Sequence, residues 1–199
     1  QQRDVITRTF PKLLRHMTGY NLVHMAEPDG SSVDLAQLYA GSEGSLGVVT
    51  EAKLRLTRFA QHRALFVLRY ASFDAALASS EWLVATDPGS VETIDETVLE
   101  LARGDVIYDQ VRPFLQDAGV EPTRAINLVE YVGDDRAVVQ AQVEALETHI
   151  AREQGALGIP HGYALTWQTG ERESLWNLRK KGVGLLGNAL VGAWWLDPL

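Results

Sequence analysis

The segment Ala125-Ile126-Asn127-Leu128-Val129-Glu130-Tyr131-Val132, followed by Gly133-Asp134-Asp135, decides the fold of this 199-residue chain. Its run of apolar, mostly β-branched and aromatic residues predicts a buried strand. The Gly-Asp-Asp that follows predicts a turn and the N-cap of a helix. That helix has one apolar face, formed by Val139, Val143, Leu146 and Ile150. A strand followed by an amphipathic helix is therefore the basic unit of the predicted domain.

The same alternation extends in both directions from this unit. Further strands are predicted at Ala64 to Tyr70, Val91 to Ile94 and Tyr163 to Trp167. Helices are predicted from the cap Ser72 to about Ala85, from Asp95 to Arg103, and from Glu171 to about Gly187. The last helix has one side formed by Leu175, Leu178, Gly182 and Leu185, and Pro113 and Pro122 bracket a looser connection. Two strand–helix–strand units predict an α+β fold, a ferredoxin-like sandwich.

The first part of the chain, residues 1–58, differs in composition, because it is rich in glycine and turn residues. Val5 to Phe10 and Gly47 to Leu56 are predicted as strands, and Asp34 is predicted to cap a short helix through Leu38. We therefore expect two regions, residues 1–58 and residues 59–199.

Composition narrows the class of function. The net charge of −8 and the pI near 5.1 disfavour a nucleic-acid partner. They allow an acidic substrate, because one local arginine can bind a carboxylate. The chain has no cysteine, which excludes disulfides, iron–sulfur ligation and zinc–thiolate sites within these residues. The longest apolar stretch, Gly182 to Leu196, is interrupted by Asn188 and is shorter than the ~20 residues that span a bilayer, so we expect a soluble protein without a membrane span.

The segment Gly41-Ser42-Glu43-Gly44-Ser45-Leu46-Gly47 has glycines three residues apart, ahead of a predicted strand. Glycine permits close approach of the backbone to a ligand, and successive amides with the hydroxyls of Ser42 and Ser45 can cradle a pyrophosphate. A tight turn without a ligand remains the alternative. The segment is not the nicotinamide fingerprint, which precedes a helix rather than a strand. A second segment, Thr18-Gly19-Tyr20-Asn21-Leu22, is by itself typical of a structural turn.

Together these two segments resemble the end of the FAD-binding domain of the FAD-linked oxidases. This is the vanillyl-alcohol oxidase superfamily, in particular its D-lactate, glycolate and D-2-hydroxyglutarate dehydrogenase branch. The resemblance implies that FAD lies against Thr18, Gly19, Tyr20, Gly41, Ser42, Glu43, Gly44, Ser45 and Gly47, with Ser45 in place of the usual threonine. It also implies that residues 1–58 are the C-terminal part of the FAD-binding domain, and that residues 59–199 are a truncated C-terminal substrate domain.

The segment Glu173-Ser174-Leu175-Trp176-Asn177-Leu178-Arg179 resembles the family's E-x-x-x-L-W-x-x-R motif. The resemblance implies that Arg179 binds the substrate carboxylate. Helical spacing predicts mostly apolar neighbours for Arg179, namely Leu175, Trp176, Gly182 and Val183. A solvated arginine near a helix end is the alternative. Val183 stands where the hydroxyglutarate enzymes have a threonine, which leaves the particular hydroxy acid open.

The function implied is the oxidation of a D-2-hydroxy acid by hydride transfer to flavin N5. The resemblance places the catalytic base on a histidine of a metal-binding segment beyond this chain, and no metal ligand within it. We expect the chain to be a piece of a longer cytoplasmic protein, or of one that is peripheral to a membrane through electron-transfer partners. An iron–sulfur electron acceptor, fused or separate, is expected outside the chain, and the piece alone is expected to bind FAD weakly or not at all. The alternatives are a non-catalytic ferredoxin-like binding module and a flavin oxidase of the same superfamily acting on an alcohol or a phenol.

Overall fold

The computed structural model describes residues 2–11, 19–27, 29–116 and 122–195. It divides into an N-terminal unit, Gln1–Thr57, and a C-terminal unit, Arg58–Leu199. We describe each unit by itself.

The N-terminal unit begins with a helix, α1 (Arg3–Thr9), where the sequence predicted a strand from Val5 to Phe10. That prediction is wrong. Asp4 lies in the first turn of α1 and Arg8 in the last, so both charges complement the helix dipole. No residue of α1 is buried, and the segment therefore lacks the packed face that would favour a strand. The second helix, α2 (Leu35–Ala40), is confirmed, because the Asp34 side chain accepts a hydrogen bond of 2.9 Å from the Ala36 amide.

The strand predicted at Gly47 to Leu56 is wrong, because none of these residues is in a strand in the structure. Its apolar side chains face solvent, with Val48 91% exposed, Leu54 80% and Leu56 87%. A strand needs a neighbour for its backbone hydrogen bonds. Within the described part of the chain, this segment has no such neighbour.

The C-terminal unit contains a four-stranded sheet in the order β2-β3-β1-β4. Its strands are β1 (His62–Tyr70), β2 (Ser90–Ile94), β3 (Ala125–Gly133) and β4 (Gly162–Thr166). β1 pairs with β3 on one side and with β4 on the other, β2 pairs with β3, and all three pairings are antiparallel. This is the strand order of the ferredoxin-like split βαβ fold. The predicted fold class is therefore confirmed.

One face of the sheet is covered by α3 (Phe73–Ala78), α4 (Ser80–Ala85) and α7 (Arg136–Arg152). The apolar face predicted for α7 is confirmed, because Val139, Val143, Leu146 and Ile150 are all buried. The helix predicted from Ser72 to Ala85 is interrupted at Ser79, whose hydroxyl donates to the Ala76 carbonyl. The buried Asn127 amide nitrogen of β3 also donates to that carbonyl and to the Ser79 hydroxyl, at 2.9 and 2.7 Å. This buried polar group accounts for the break.

The other face is covered by α5 (Glu96–Arg103), α6 (Tyr108–Leu115) and α8 (Thr169–Trp195). The helix predicted from Asp95 to Arg103 is confirmed as α5, and Asp95 is its N-cap, because its carboxylate accepts from the Val98 amide at 2.9 Å. The sequence predicts a loose connection that starts at Pro113, whereas Pro113 lies inside the helix α6. Leu175 and Leu178 bury one side of α8 against the sheet, as predicted.

We predict that Gly182→Ala and Gly184→Ala change stability in opposite directions. A Cβ atom on Gly182 would lie 2.9 Å from Val98 Cγ1 on α5, whereas one on Gly184 meets nothing within 4 Å. Alanine improves helix propensity by about 0.5–1 kcal/mol, but overpacking costs about 1–3 kcal/mol. The free energy of unfolding should therefore rise for Gly184→Ala and fall for Gly182→Ala. Urea unfolding followed by tryptophan fluorescence measures this, and equal stabilisation by both changes would contradict the close packing of α5 on α8.

We predict that Tyr70→Phe makes the C-terminal unit less sensitive to alkaline pH. Burial raises the pKa of Tyr70 to about 12, above the value of about 10 in an unfolded chain. The folded state therefore keeps the Tyr70 proton where the unfolded state loses it, and stability falls as the pH rises from about 10 to about 12. Urea midpoints on both sides of about pH 10 should show a smaller fall for Tyr70→Phe than for the wild type, with Tyr108→Phe as control. Equal falls in all three proteins would argue against this titration.

Candidate functional site

The two motifs that the sequence singled out in the N-terminal unit lie against each other. Gly19 has a φ of +75°, a conformation that favours glycine. A Cβ atom on Gly41 would lie only 2.0 Å from the Gly19 carbonyl oxygen. The two backbones therefore approach to a distance that only glycine at position 41 allows. Thr18, the first residue of the predicted flavin contact, lies outside the described residues.

The second motif folds into a tight turn centred on Glu43 and Gly44. The Ser45 amide donates to the Ser42 carbonyl at 2.9 Å, and the two central residues have φ angles of 48° and 81°. Positive φ at both central positions is typical of a type I′ turn. Glycine adopts this conformation readily, whereas at Glu43 it carries a strain of the order of 1 kcal/mol.

Side chains of both motifs also meet. The Tyr20 hydroxyl lies 2.7 Å from the Ser45 hydroxyl, which in turn donates to the Ser42 carbonyl at 2.6 Å. Behind them, the Asn21 amide nitrogen donates to the Gln37 side-chain oxygen of α2 at 3.0 Å. Both links join residues far apart in sequence, and the motif spacing alone gave no signal of them.

These contacts reduce the number of hydrogen-bond donors that the predicted anion-binding segment, Gly41 to Gly47, can offer to a ligand. The amides of Ser42 and Ser45 and the Ser45 hydroxyl already have partners within the unit. Among the described residues, the backbone amides of Glu43, Gly44, Leu46 and Gly47 donate to no protein acceptor. These four amides are therefore the donors available for a ligand oxygen or ring nitrogen.

The other predicted site residue, Arg179, lies on α8 in the C-terminal unit. Its Nε and Nη2 atoms both contact one carboxylate oxygen, Oε2 of Glu92 on β2, at 3.1 and 3.0 Å. Both side chains are partly exposed, Arg179 at 45% and Glu92 at 37%. They line a groove of about 250 Å³ together with Phe73, Thr93, Ile94, Asp95, Val98, Gly182 and Leu186.

The surroundings of Arg179 are less apolar than predicted. Gly182 lies in the groove as expected, but Leu175 points into the core and the Trp176 indole donates to Glu130 at 3.3 Å. The side chain of Val183 lies outside the described part of the structure. The sequence analysis missed Glu92 as the partner of Arg179. The signal was available, because strand alternation puts Glu92 on the same face as Ile94, which packs on the side of the sheet covered by α8.

A buried ion cluster at the start of α8 fixes the position of this helix. Glu130 of β3, which is 6% exposed, accepts from Arg63 of β1 at 3.3 Å, and Arg172 of α8 lies 4.0 Å from its other oxygen. Arg172 also donates to the Trp167 carbonyl ahead of α8. Removing one member of such a cluster leaves a buried charge without its partner, at a cost of about 3–5 kcal/mol.

The described residues show neither a metal-binding cluster nor a membrane-spanning helix. They contain no group of three histidine, cysteine, aspartate or glutamate residues that could hold a metal ion. Nor does any helix among them combine the length and the apolar character needed to cross a membrane.

Comparison with known proteins places the chain in a family. A family model described as "FAD linked oxidases, C-terminal domain" matches residues 59–197. The D-2-hydroxyglutarate dehydrogenase of Escherichia coli (strain K12) is 38% identical over 193 residues, which cover 95% of this chain and 19% of that protein. The enzyme of the same name from Haemophilus influenzae is 37% identical over 191 residues, covering 95% and 18%. The mitochondrial D-lactate dehydrogenase [cytochrome] of Arabidopsis thaliana is 26% identical over 161 residues, covering 79% and 25%.

The chain thus spans about a fifth of the length of the first two relatives. The family match covers most of the chain and includes the whole sheet of the C-terminal unit with the helices on both of its faces. The chain belongs to the FAD-linked oxidase family.

Proposed function

We propose that this chain is part of an FAD-dependent oxidoreductase that oxidises a D-2-hydroxy acid of the lactate, glycolate or 2-hydroxyglutarate type. The observation that carries the proposal is the position of Arg179 beside a groove, with a guanidinium edge available for a carboxylate. The names of the relatives support the substrate class, since they are dehydrogenases of 2-hydroxyglutarate and lactate.

In this proposal, residues 1–58 are the C-terminal part of an FAD-binding domain and residues 59–199 belong to the substrate domain. Gly19, Tyr20, Gly41, Ser42, Glu43, Gly44, Ser45 and Gly47, together with Thr18, hold one edge of the cofactor. Two observations fit FAD: the Gly19–Gly41 approach leaves no room for a Cβ atom, and four backbone amides of the turn donate to no protein acceptor among the described residues. When bound, FAD supplies the hydride acceptor, its N5 atom.

The role proposed for Arg179 is to bind and orient the substrate. A guanidinium holds a carboxylate through two parallel N–H···O bonds, which fix both the distance and the plane of the acid. Fixing the carboxylate also fixes C2, the neighbouring carbon that is oxidised, so the contribution to rate comes from orientation. The hydroxyl proton must pass to a base. We place that base outside this chain.

We predict that Arg179→Met, made in the protein expressed from its complete reading frame, lowers kcat/KM for D-2-hydroxy acids by about 100-fold. Two charge-assisted hydrogen bonds at the lower end of the usual range contribute about 3 kcal/mol together, which corresponds to about 100-fold, and the lower end applies because Arg179 is partly exposed. Arg124→Met is the matched control, since Arg124 is a similarly exposed arginine paired with Glu96 at 2.9 Å. Unchanged turnover of hydroxy acids by Arg179→Met would contradict the proposed role of Arg179 in binding the substrate carboxylate.

We predict that Gly41→Ala lowers the FAD content of the same full protein, because the added Cβ atom would separate the two motifs. Gly170→Ala is the control, since Gly170 lies outside both motifs and a Cβ atom on it would meet nothing within 4 Å. The ratio of flavin absorbance to protein absorbance after gel filtration measures the effect. In the 199-residue chain, tryptophan fluorescence should show an unchanged C-terminal unit in both variants, because all five tryptophans of this chain lie in that unit. Full FAD content in the Gly41→Ala variant would contradict the proposal that the two motifs form part of the flavin site.

A further inference from the structure

Glu92 contacts Arg179 along one edge of the guanidinium group and leaves the other edge open. A single oxygen, Oε2, receives Nε at 3.1 Å and Nη2 at 3.0 Å. These two nitrogens form the side edge of the planar group. No contact of Nη1 is found among the described residues, so the end edge, formed by Nη1 and the second N–H of Nη2, has no protein partner there.

This geometry differs from an ion pair that would occupy the arginine fully. A guanidinium has enough N–H donors to bind one carboxylate along its side edge and another along its end edge. Because Glu92 uses one oxygen and one edge, the second, bidentate position remains available to a ligand. The Arg179 fork can therefore serve two carboxylates at once.

The ion pair of Arg179 and Glu92 contributes little to the stability of the folded chain. Both side chains are more than a third exposed, and ion pairs of this kind contribute about 0–1 kcal/mol. An arginine without a partner, in contrast, samples many rotamers, and ordering it on binding costs about 0.5–1.5 kcal/mol. A carboxylate that holds the side chain beforehand removes this cost from ligand binding.

Both residues of the pair lie in regular secondary structure that is packed against neighbouring elements. Glu92 lies within β2, where it is paired with Leu128 of β3. Arg179 follows the fully buried Leu178 on α8, and one turn later Gly182 packs against Val98 of α5. A contact between two fixed elements sets the direction of the guanidinium more precisely than a contact from a loop does.

We propose that Glu92 is a positioning residue, which holds Arg179 by its Nε/Nη2 edge so that the Nη1/Nη2 edge is presented to the substrate carboxylate. This inference rests on the proposed function of Arg179 and adds to it the residue that aims the arginine. Glu92 touches no reacting atom, and its effect on the reaction passes through Arg179.

The test compares three substitutions of Glu92 in the full protein, assayed with a D-2-hydroxy acid. Glu92→Ala removes the acceptor, Glu92→Asp keeps the charge but withdraws the carboxylate, and Glu92→Gln keeps an oxygen acceptor at the same reach. We expect KM to rise about 3- to 10-fold for the alanine and aspartate variants, with kcat nearly unchanged, and to stay within about 2-fold for the glutamine variant. The KM-against-kcat split and the rescue by glutamine distinguish positioning from a general loss of structure.

The matched control is Glu96→Ala, because Glu96 forms a comparably exposed pair with Arg124. It should leave both KM and kcat unchanged. A lower KM in Glu92→Ala or Glu92→Gln would overturn the inference, since Glu92 would then compete with the substrate for Arg179. Unchanged KM in both Glu92→Ala and Glu92→Asp would also overturn it. If Arg179→Met is itself without effect, the proposed function fails first, and the two failures are thereby told apart. If the alanine variant does not fold, the aspartate and glutamine variants decide the question in the same way.

Discussion

The architecture of the C-terminal unit depends on one constraint, the burial of β1 on both of its faces and along both of its edges. Every residue from Ala64 to Tyr70 is buried, and the apolar side chains among them alternate between the two apolar clusters on either side of the sheet. An antiparallel sheet often leaves one face to solvent, but this strand has no polar face to expose. Two layers of helices are therefore required. The second helix layer consists of α5, α6 and α8. It places Arg179 of α8 within hydrogen-bond distance of Glu92 of β2.

The sequence predicted the parts of the fold that depend on periodicity and caps. The strands of the C-terminal unit and the buried face of α7 follow from apolar patterns, and Ser72 and Asp135 accept the capping hydrogen bonds expected of them. The failures occurred where local pattern and tertiary context disagree. Gly47 to Leu56 has a strand-like sequence but no neighbouring strand among the described residues, and α6 accommodates Pro113 inside a helix.

The candidate sites show the same division between local and long-range information. Glycine spacing indicated a backbone turn at Gly41–Gly47, and the structure adds the 2.0 Å constraint from the Gly19 carbonyl, which no spacing rule contains. A motif indicated Arg179, whereas its partner Glu92 is 87 residues away in sequence. Strand alternation places Glu92 on the right face, but only the packing of α8 on the sheet, fixed by Glu130 and Arg172, brings the two side chains together.

The pairing of Arg179 with Glu92 also bears on how an acidic chain can select an anion. The net charge of −8 gives no long-range attraction for a carboxylate, and the pair itself is close to neutral. Binding at the open edge would then depend on short-range geometry, on two parallel hydrogen bonds to a planar acceptor, more than on charge. Such a site discriminates by shape among anions of equal charge, because an acceptor without two coplanar oxygens makes fewer of these bonds. By holding one edge of the guanidinium, Glu92 leaves this short-range geometry at the other edge of Arg179 as the basis of anion selection.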